Sequence, residues 1–156
     1  MWLIAVVVGL TFFVGMGGMY LAGFVCYGEF PYLDAIMIQP LPIAAAIICA
    51  LLLPLSTTLA EDGIYLGAIN SANGNKGVTV MSVFFYAAQH SFIPFLPDTR
   101  YALYRFMSFL PLTILFCLWY KKSKNPLPFM MAHFIINLST VAMLIIVSIS
   151  PDILSA

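Results

Sequence analysis

From Trp2 to Tyr27 the chain carries no charged side chain. Wound into a helix, a run of that length crosses roughly 30 Å of hydrocarbon, and it sets the solvent in which the rest must fold. The remainder agrees with it. Of 156 residues, 63% are hydrophobic and 8% are charged, and the mean hydropathy is +1.04. A water-soluble domain of this size has too little interior to hide so much apolar surface. The expected fold class is therefore all-α: a polytopic transmembrane helical bundle in a lipid bilayer, folded as one domain over residues 1–156.

Charge narrows the partners. Basic and acidic residues balance at six each, so no basic patch points to nucleic acid. Every Lys and Arg lies at or beyond Lys76. The amino-terminal run thus lacks the charged leader of a secretory signal and is expected to remain as a spanning helix. Cys26, Cys49 and Cys117 stand far apart inside apolar runs. They read as small buried hydrophobes rather than as a disulfide or metal framework.

About six helices are expected, one of them short. The first is Trp2 to Tyr27, where Gly18 and Ala22 have the small-xxx-small spacing of close helix packing. A polar loop follows from Gly28 to Asp34. The second starts near Pro42, a residue suited to a first turn, and runs to Pro54. Thr58-x-x-Glu61 fits a capping box, which predicts a new helix ending by Asn73-Gly74. Val78 to Phe92, Tyr101 to Tyr120 and Pro128 to Ile149 complete the set. Lys121, Lys122 and Lys124 form the dense basic loop, expected on the cytoplasmic side, with Lys76 on the same face. The Pro94 to Arg100 loop and the carboxyl terminus then fall on the opposite side, Arg100 dissenting. The sides of the first two spans depend on whether Pro54 ends a helix or kinks one.

Within this apolar frame a few ionisable groups stand out: Glu61-Asp62, His90 and His133. Such groups are costly in hydrocarbon unless paired, and by default they mark a site. Measured from the basic face at 1.5 Å per residue, Glu61 lies about 16 Å deep, His90 about 18 Å, His133 about 8 Å and Asn137 about 14 Å. Helix tilt absorbs the spread. His133 and Asn137, four apart, share one helix face with no local partner in sequence. Glu61 and Asp62 are about 100° apart, so at most one should point squarely into a common cavity. Tyr65 shares the face of Glu61, within reach of it or of a substrate. Two imidazoles, a carboxylate and an amide can bind a metal or activate water.

The order of these residues resembles the CAAX protease and bacteriocin-processing (Abi-type) family of intramembrane metalloproteases. Its motifs are Glu-Glu-x-x-x-Arg, Phe-x-x-x-His and His-x-x-x-Asn or Asp on successive helices. Here they correspond to Glu61-Asp62, Tyr86-x-x-x-His90 and His133-x-x-x-Asn137, over about Thr58 to Ser139. The resemblance implies that Glu61 activates water and that His90, His133 and Asn137 are catalytic as well. The two histidines, with Glu61, would be ligands of a divalent metal such as zinc, or the histidines and Asn137 would stabilise an oxyanion. Asp62 and Tyr65 would be auxiliary. It also implies a peptide or protein substrate entering from the membrane, and a prokaryotic cell membrane as the location. The chain departs from the pattern at three positions: Asp62 for the second glutamate, Leu66 for the arginine and Tyr86 for the phenylalanine.

Each group also has an ordinary role. Glu61 completes a helix cap in the capping-box reading, and His90 can snorkel to the interface. His133 and Asn137 can serve as interhelical glue, and Gln89 as packing polarity. The rival to an endopeptidase is an inactive membrane binding, scaffold or immunity-type protein, which Leu66 favours. A proton or ion relay would need a polar path that the apolar Val141 to Ile149 segment does not offer.

Overall fold

The computed structural model describes residues 2–28, 40–92 and 98–150, and among them every regular element is helical. Among the described residues there are five helices, where about six were expected: α1 (Trp2–Tyr27), α2 (Ile43–Ser71), α3 (Lys76–Gln89), α4 (Thr99–Ser123) and α5 (Leu127–Ile149). All but α3 are long and apolar enough to cross a membrane. With 14 residues, α3 reaches only about 21 Å before it tightens into the 3₁₀ turn His90–Phe92. The expected Gly28 to Asp34 and Pro94 to Arg100 loops, like the carboxyl terminus, lie largely outside the described residues.

The expected boundary after Pro54 is not there. Thr57 and Thr58 have helical backbone angles, Thr58 at φ −58° and ψ −47°, and neither makes a side-chain cap. Thr-x-x-Glu is here an interior pattern. Pro54 sits within α2, and the hydroxyl of Thr57 donates to the Leu53 carbonyl at 2.6 Å. Membrane helices tolerate proline because nearby hydroxyls and local loosening satisfy the disturbed backbone. The loosening follows at once: Thr58–Asp62 is a π-helical turn, after which α-geometry resumes at Gly63. Glu61 and Asp62 therefore stand mid-helix, and a helix terminus does not account for them.

This continuity settles which way the first two spans run. The tight turn after α2 has left-handed Asn73 and Gly74, and Gly74 lies against the side chains of Lys121 and Lys124. The end of α2 thus shares a face with the α4–α5 turn. On the opposite face, Leu41 N–H donates to Ser148 Oγ at 3.0 Å, joining the start of α2 to the end of α5. There too, Arg100 at the start of α4 donates to the Cys26 carbonyl and covers the Tyr27 ring at 4.6 Å. Arg100 is occupied in closing the carbonyl end of α1, which explains its presence on the less basic face.

Local chemistry sets the other ends. Asn75 caps α3, accepting from Gly77 N–H at 2.8 Å, so that helix begins two residues before the expected Val78. Asp98 caps α4, accepting from Arg100 N–H at 2.9 Å. Left-handed Lys124 ends α4, its N–H donating to Tyr120. Pro128 sits in the first turn of α5.

The core gathers Val7, Leu66, Ile69, Tyr86, Phe116, Cys117, Tyr120, Phe129 and Ala132 from all five helices. A second cluster forms where Ala22 meets Tyr104. Gly18 lies so close to α4 that a Cβ there would sit 2.5 Å from the Ser108 carbonyl oxygen. Large apolar side chains such as Phe13, Leu51, Ile64 and Val80 point outward at 64% exposure or more. That arrangement suits lipid, where apolar surface needs no burial against protein.

Candidate active site

The π-helical turn of α2 faces α3 and α5. Glu61 Oε2 lies 3.7 Å from His90 Nε2 and 3.8 Å from His133 Nε2. Asp62 lies on the other side of the second imidazole, with Oδ2 3.3 Å from His133 Nδ1. Both carboxylates reach the same ring, but from opposite sides, Glu61 at Nε2 and the buried Asp62 at Nδ1. The wider π turn reduces the angle between neighbours, and the ring presents a different nitrogen to each. The Asp62 side chain is fully buried, while Glu61 and the histidines keep 12–14% exposure.

The partners assign the protons on both rings. His90 Nδ1 faces the Tyr86 carbonyl at 2.8 Å, a pure acceptor, so Nδ1 carries the hydrogen. His133 Nδ1 faces the Asp62 carboxylate and lies 3.2 Å from the Tyr86 hydroxyl. That hydroxyl donates to Asp62 Oδ1 at 2.6 Å, so His133 Nδ1 is again the donor. In the neutral rings both Nε2 lone pairs then point toward Glu61, whose Oε2 is buried with no hydrogen-bond partner among the described residues. Three acceptors converge on one place, the imidazole nitrogens 3.7 and 3.8 Å from Glu61 Oε2, so a water hydrogen-bonded to a pair of them sits to one side of the line that joins them.

Aromatic contacts hold the set. His90 stacks on Phe109 with ring centroids 3.8 Å apart, and the Arg105 guanidinium covers the other ring 4.8 Å from its centroid. Tyr86 stacks on Tyr65 at 4.7 Å, and Phe116 meets His133 edge-on at 6.4 Å. Among the described residues, the ion-pair contacts all join these two imidazoles to these two carboxylates. Arg105 instead donates to the His90 carbonyl at 3.4 Å.

Asn137 lies one turn beyond His133 on α5. Its Nδ2 donates to Thr57 Oγ1 at 2.8 Å, one turn before Glu61 on antiparallel α2. It thus joins the same pair of helices next to the Glu61–His133 contact, and its second N–H has no hydrogen-bond partner among the described residues. Tyr65 does not bond Glu61. Its hydroxyl lies 3.0 Å from Gln89 Oε1 and donates to it, with the Phe85 carbonyl at 3.3 Å.

A family model described as Type II CAAX prenyl endopeptidase Rce1-like matches residues 39–139, more than half of the chain. The chain belongs to that family. No curated protein and no solved structure was found to match. The Rce1-like match begins just before α2, takes in α3 and α4, and ends in α5, so every residue of the cluster falls within it. Outside it, α1 still packs on α4 through Gly18 and contributes Val7 to the core.

The donor chemistry of His90, His133 and Glu61 is that of a zinc site with an open position. Their spacing is not: among the described residues, no three His, Cys, Asp or Glu groups are gathered closely enough to hold an ion. Sequence reasoning missed Thr57, the acceptor for Asn137, and underrated Gln89 and Tyr86. A tyrosine in an apolar helix reads like the phenylalanine it resembles until its hydroxyl finds a buried carboxylate.

Proposed function

We propose that this protein is an intramembrane endopeptidase that hydrolyses a peptide bond with water activated by Glu61. The observation that carries it is the convergence of Glu61 Oε2 with the Nε2 atoms of His90 and His133. A water placed there donates one O–H to Glu61 and the other to an imidazole, leaving an oxygen lone pair for attack. Glu61 takes the proton as the oxygen bonds to the carbonyl carbon. The second N–H of Asn137 stabilises the tetrahedral oxyanion, in a low-dielectric setting where such a donor counts for most. The C–N bond then breaks and the proton passes from Glu61 to the leaving amine. Asp62 keeps His133 oriented throughout.

The family description supports a CAAX-type prenylated peptide as the substrate to try. An apolar surface groove of ≈ 470 Å³ between α2 and α3 is lined by Ile64, Tyr65, Met81 and Phe85. The lysine-rich face is proposed to be cytoplasmic on the strength of its charge bias.

Leu66, buried in the core where the motif of the family has arginine, favours the alternative of an inactive scaffold or immunity-type protein. One experiment separates the two. Purified protein in liposomes is given a prenylated CAAX peptide, and wild type is compared with Glu61→Gln, His90→Ala and His133→Ala. The expected result is cleavage by wild type and a loss of about 100-fold or more in each correctly inserted variant. Wild-type turnover in Glu61→Gln would remove that residue from the mechanism.

A further inference from the structure

The chain departs from the motif pattern at Leu66 and Tyr86 together, and the fold brings both into one buried cluster. Leu66, 2% exposed, supplies no charge to the carboxylates beside it. Asp62 is nevertheless fully buried, and a buried carboxylate without a cation must be held by hydrogen bonds. Tyr86 supplies one, its hydroxyl donating to Oδ1 at 2.6 Å. His133 Nδ1 supplies the other, 3.3 Å from Oδ2, and the same hydroxyl lies 3.2 Å from that nitrogen. The three groups close a triangle. One corner fixes the rotamer of Asp62, and Asp62 fixes which nitrogen of His133 bears the proton. Through its main-chain carbonyl Tyr86 also receives His90 Nδ1, but any residue at that position offers a carbonyl. The hydroxyl is what distinguishes tyrosine from phenylalanine here.

We infer that Tyr86 is a positioning residue of this site. Its hydroxyl replaces, in this chain, the support that a cation at position 66 would give to the carboxylate pair. It holds Asp62 so that His133 keeps its hydrogen on Nδ1 and directs its Nε2 lone pair at Glu61. Partners of this kind, one step removed from the reacting groups, set the tautomer and direction of a working imidazole. The inference rests on the proposed endopeptidase for what His133 does, though not for how His133 is held.

The test is Tyr86→Phe in the full chain, which deletes one oxygen and keeps the ring stacked on Tyr65. The first readout needs no activity. With ¹⁵N-histidine labelling in detergent micelles, the two imidazoles of the chain give few enough signals to assign. Wild-type His133 should be in the Nδ1–H tautomer, and Tyr86→Phe should show a mixture with Nε2–H. An unchanged His133 tautomer overturns the inference whether or not the protein cleaves peptide. The second readout is steady-state cleavage of the prenylated peptide. Tyr86→Phe should lower kcat about 10- to 100-fold with KM unchanged. A wild-type kcat in Tyr86→Phe beside an inactive Glu61→Gln overturns the role of Tyr86 and leaves the endopeptidase standing. Full cleavage by Glu61→Gln does the reverse, and the tautomer measurement still decides Tyr86.

Discussion

At the scale of single residues, chemistry that is expensive in lipid was readable before any fold was known. His90, His133, Glu61 and Asn137 announce themselves because an apolar helix offers them no local partner. What the sequence concealed were the partners. Gln89 looks like stray polarity until it accepts the Tyr65 hydroxyl, and Thr57 looks like a boundary residue until Asn137 donates to it. The pairing of Asn137 with Thr57 allows its two roles to be separated. Thr57→Val keeps the shape and deletes the acceptor, and it should cost about 0.6–1.7 kcal/mol in a detergent unfolding titration. Asn137→Ala should lose a similar stability and, in addition, about 100- to 1000-fold in kcat as an oxyanion donor is removed. Equal kcat in the two variants would leave Asn137 only an architectural bond.

At the scale of elements, helix positions followed from apolar runs, and most boundaries followed from Asn75, Asp98 and Lys124 acting as caps. The boundary at Pro54 was misplaced for a physical reason. Thr-x-x-Glu starts a helix only where first-turn backbone N–H groups are left unpaired, and past Pro54 they are paired within α2. The π turn that results was invisible in the pattern of residue types, yet it aims both Glu61 and Asp62 at His133. Gly18 shows the opposite case, since its small-xxx-small spacing with Ala22 was legible and its close approach to Ser108 is what the spacing allows. Gly18→Ala should therefore cost about 1–3 kcal/mol by unfolding in detergent, because the added methyl meets a main-chain oxygen. Gly17→Ala, with nothing within 4 Å of its new Cβ, should be close to neutral. Equal losses would mean that α1 and α4 do not pack as described.

For the whole molecule, an all-helical membrane bundle was legible from composition, while the direction of the first two spans was not. It came from the continuity of α2, which puts the Trp2 end of α1 and the end of α2 on the lysine-rich face. Single cysteines in a cysteine-free background, at Asn73 and at Lys122, should label from the same side of sealed vesicles with a membrane-impermeant maleimide. Labelling from opposite sides would refute the antiparallel order. The central claim is that three helices build one catalytic unit from Glu61, His90 and His133. Groups that act as a unit lose activity once, whichever member is removed. The decisive measurement is therefore the kcat of Glu61→Gln, of His133→Ala and of the double variant on one peptide in one liposome preparation. The account predicts that the double variant is no slower than the slower single. Losses that multiply, or a Glu61→Gln variant as fast as wild type, would contradict it.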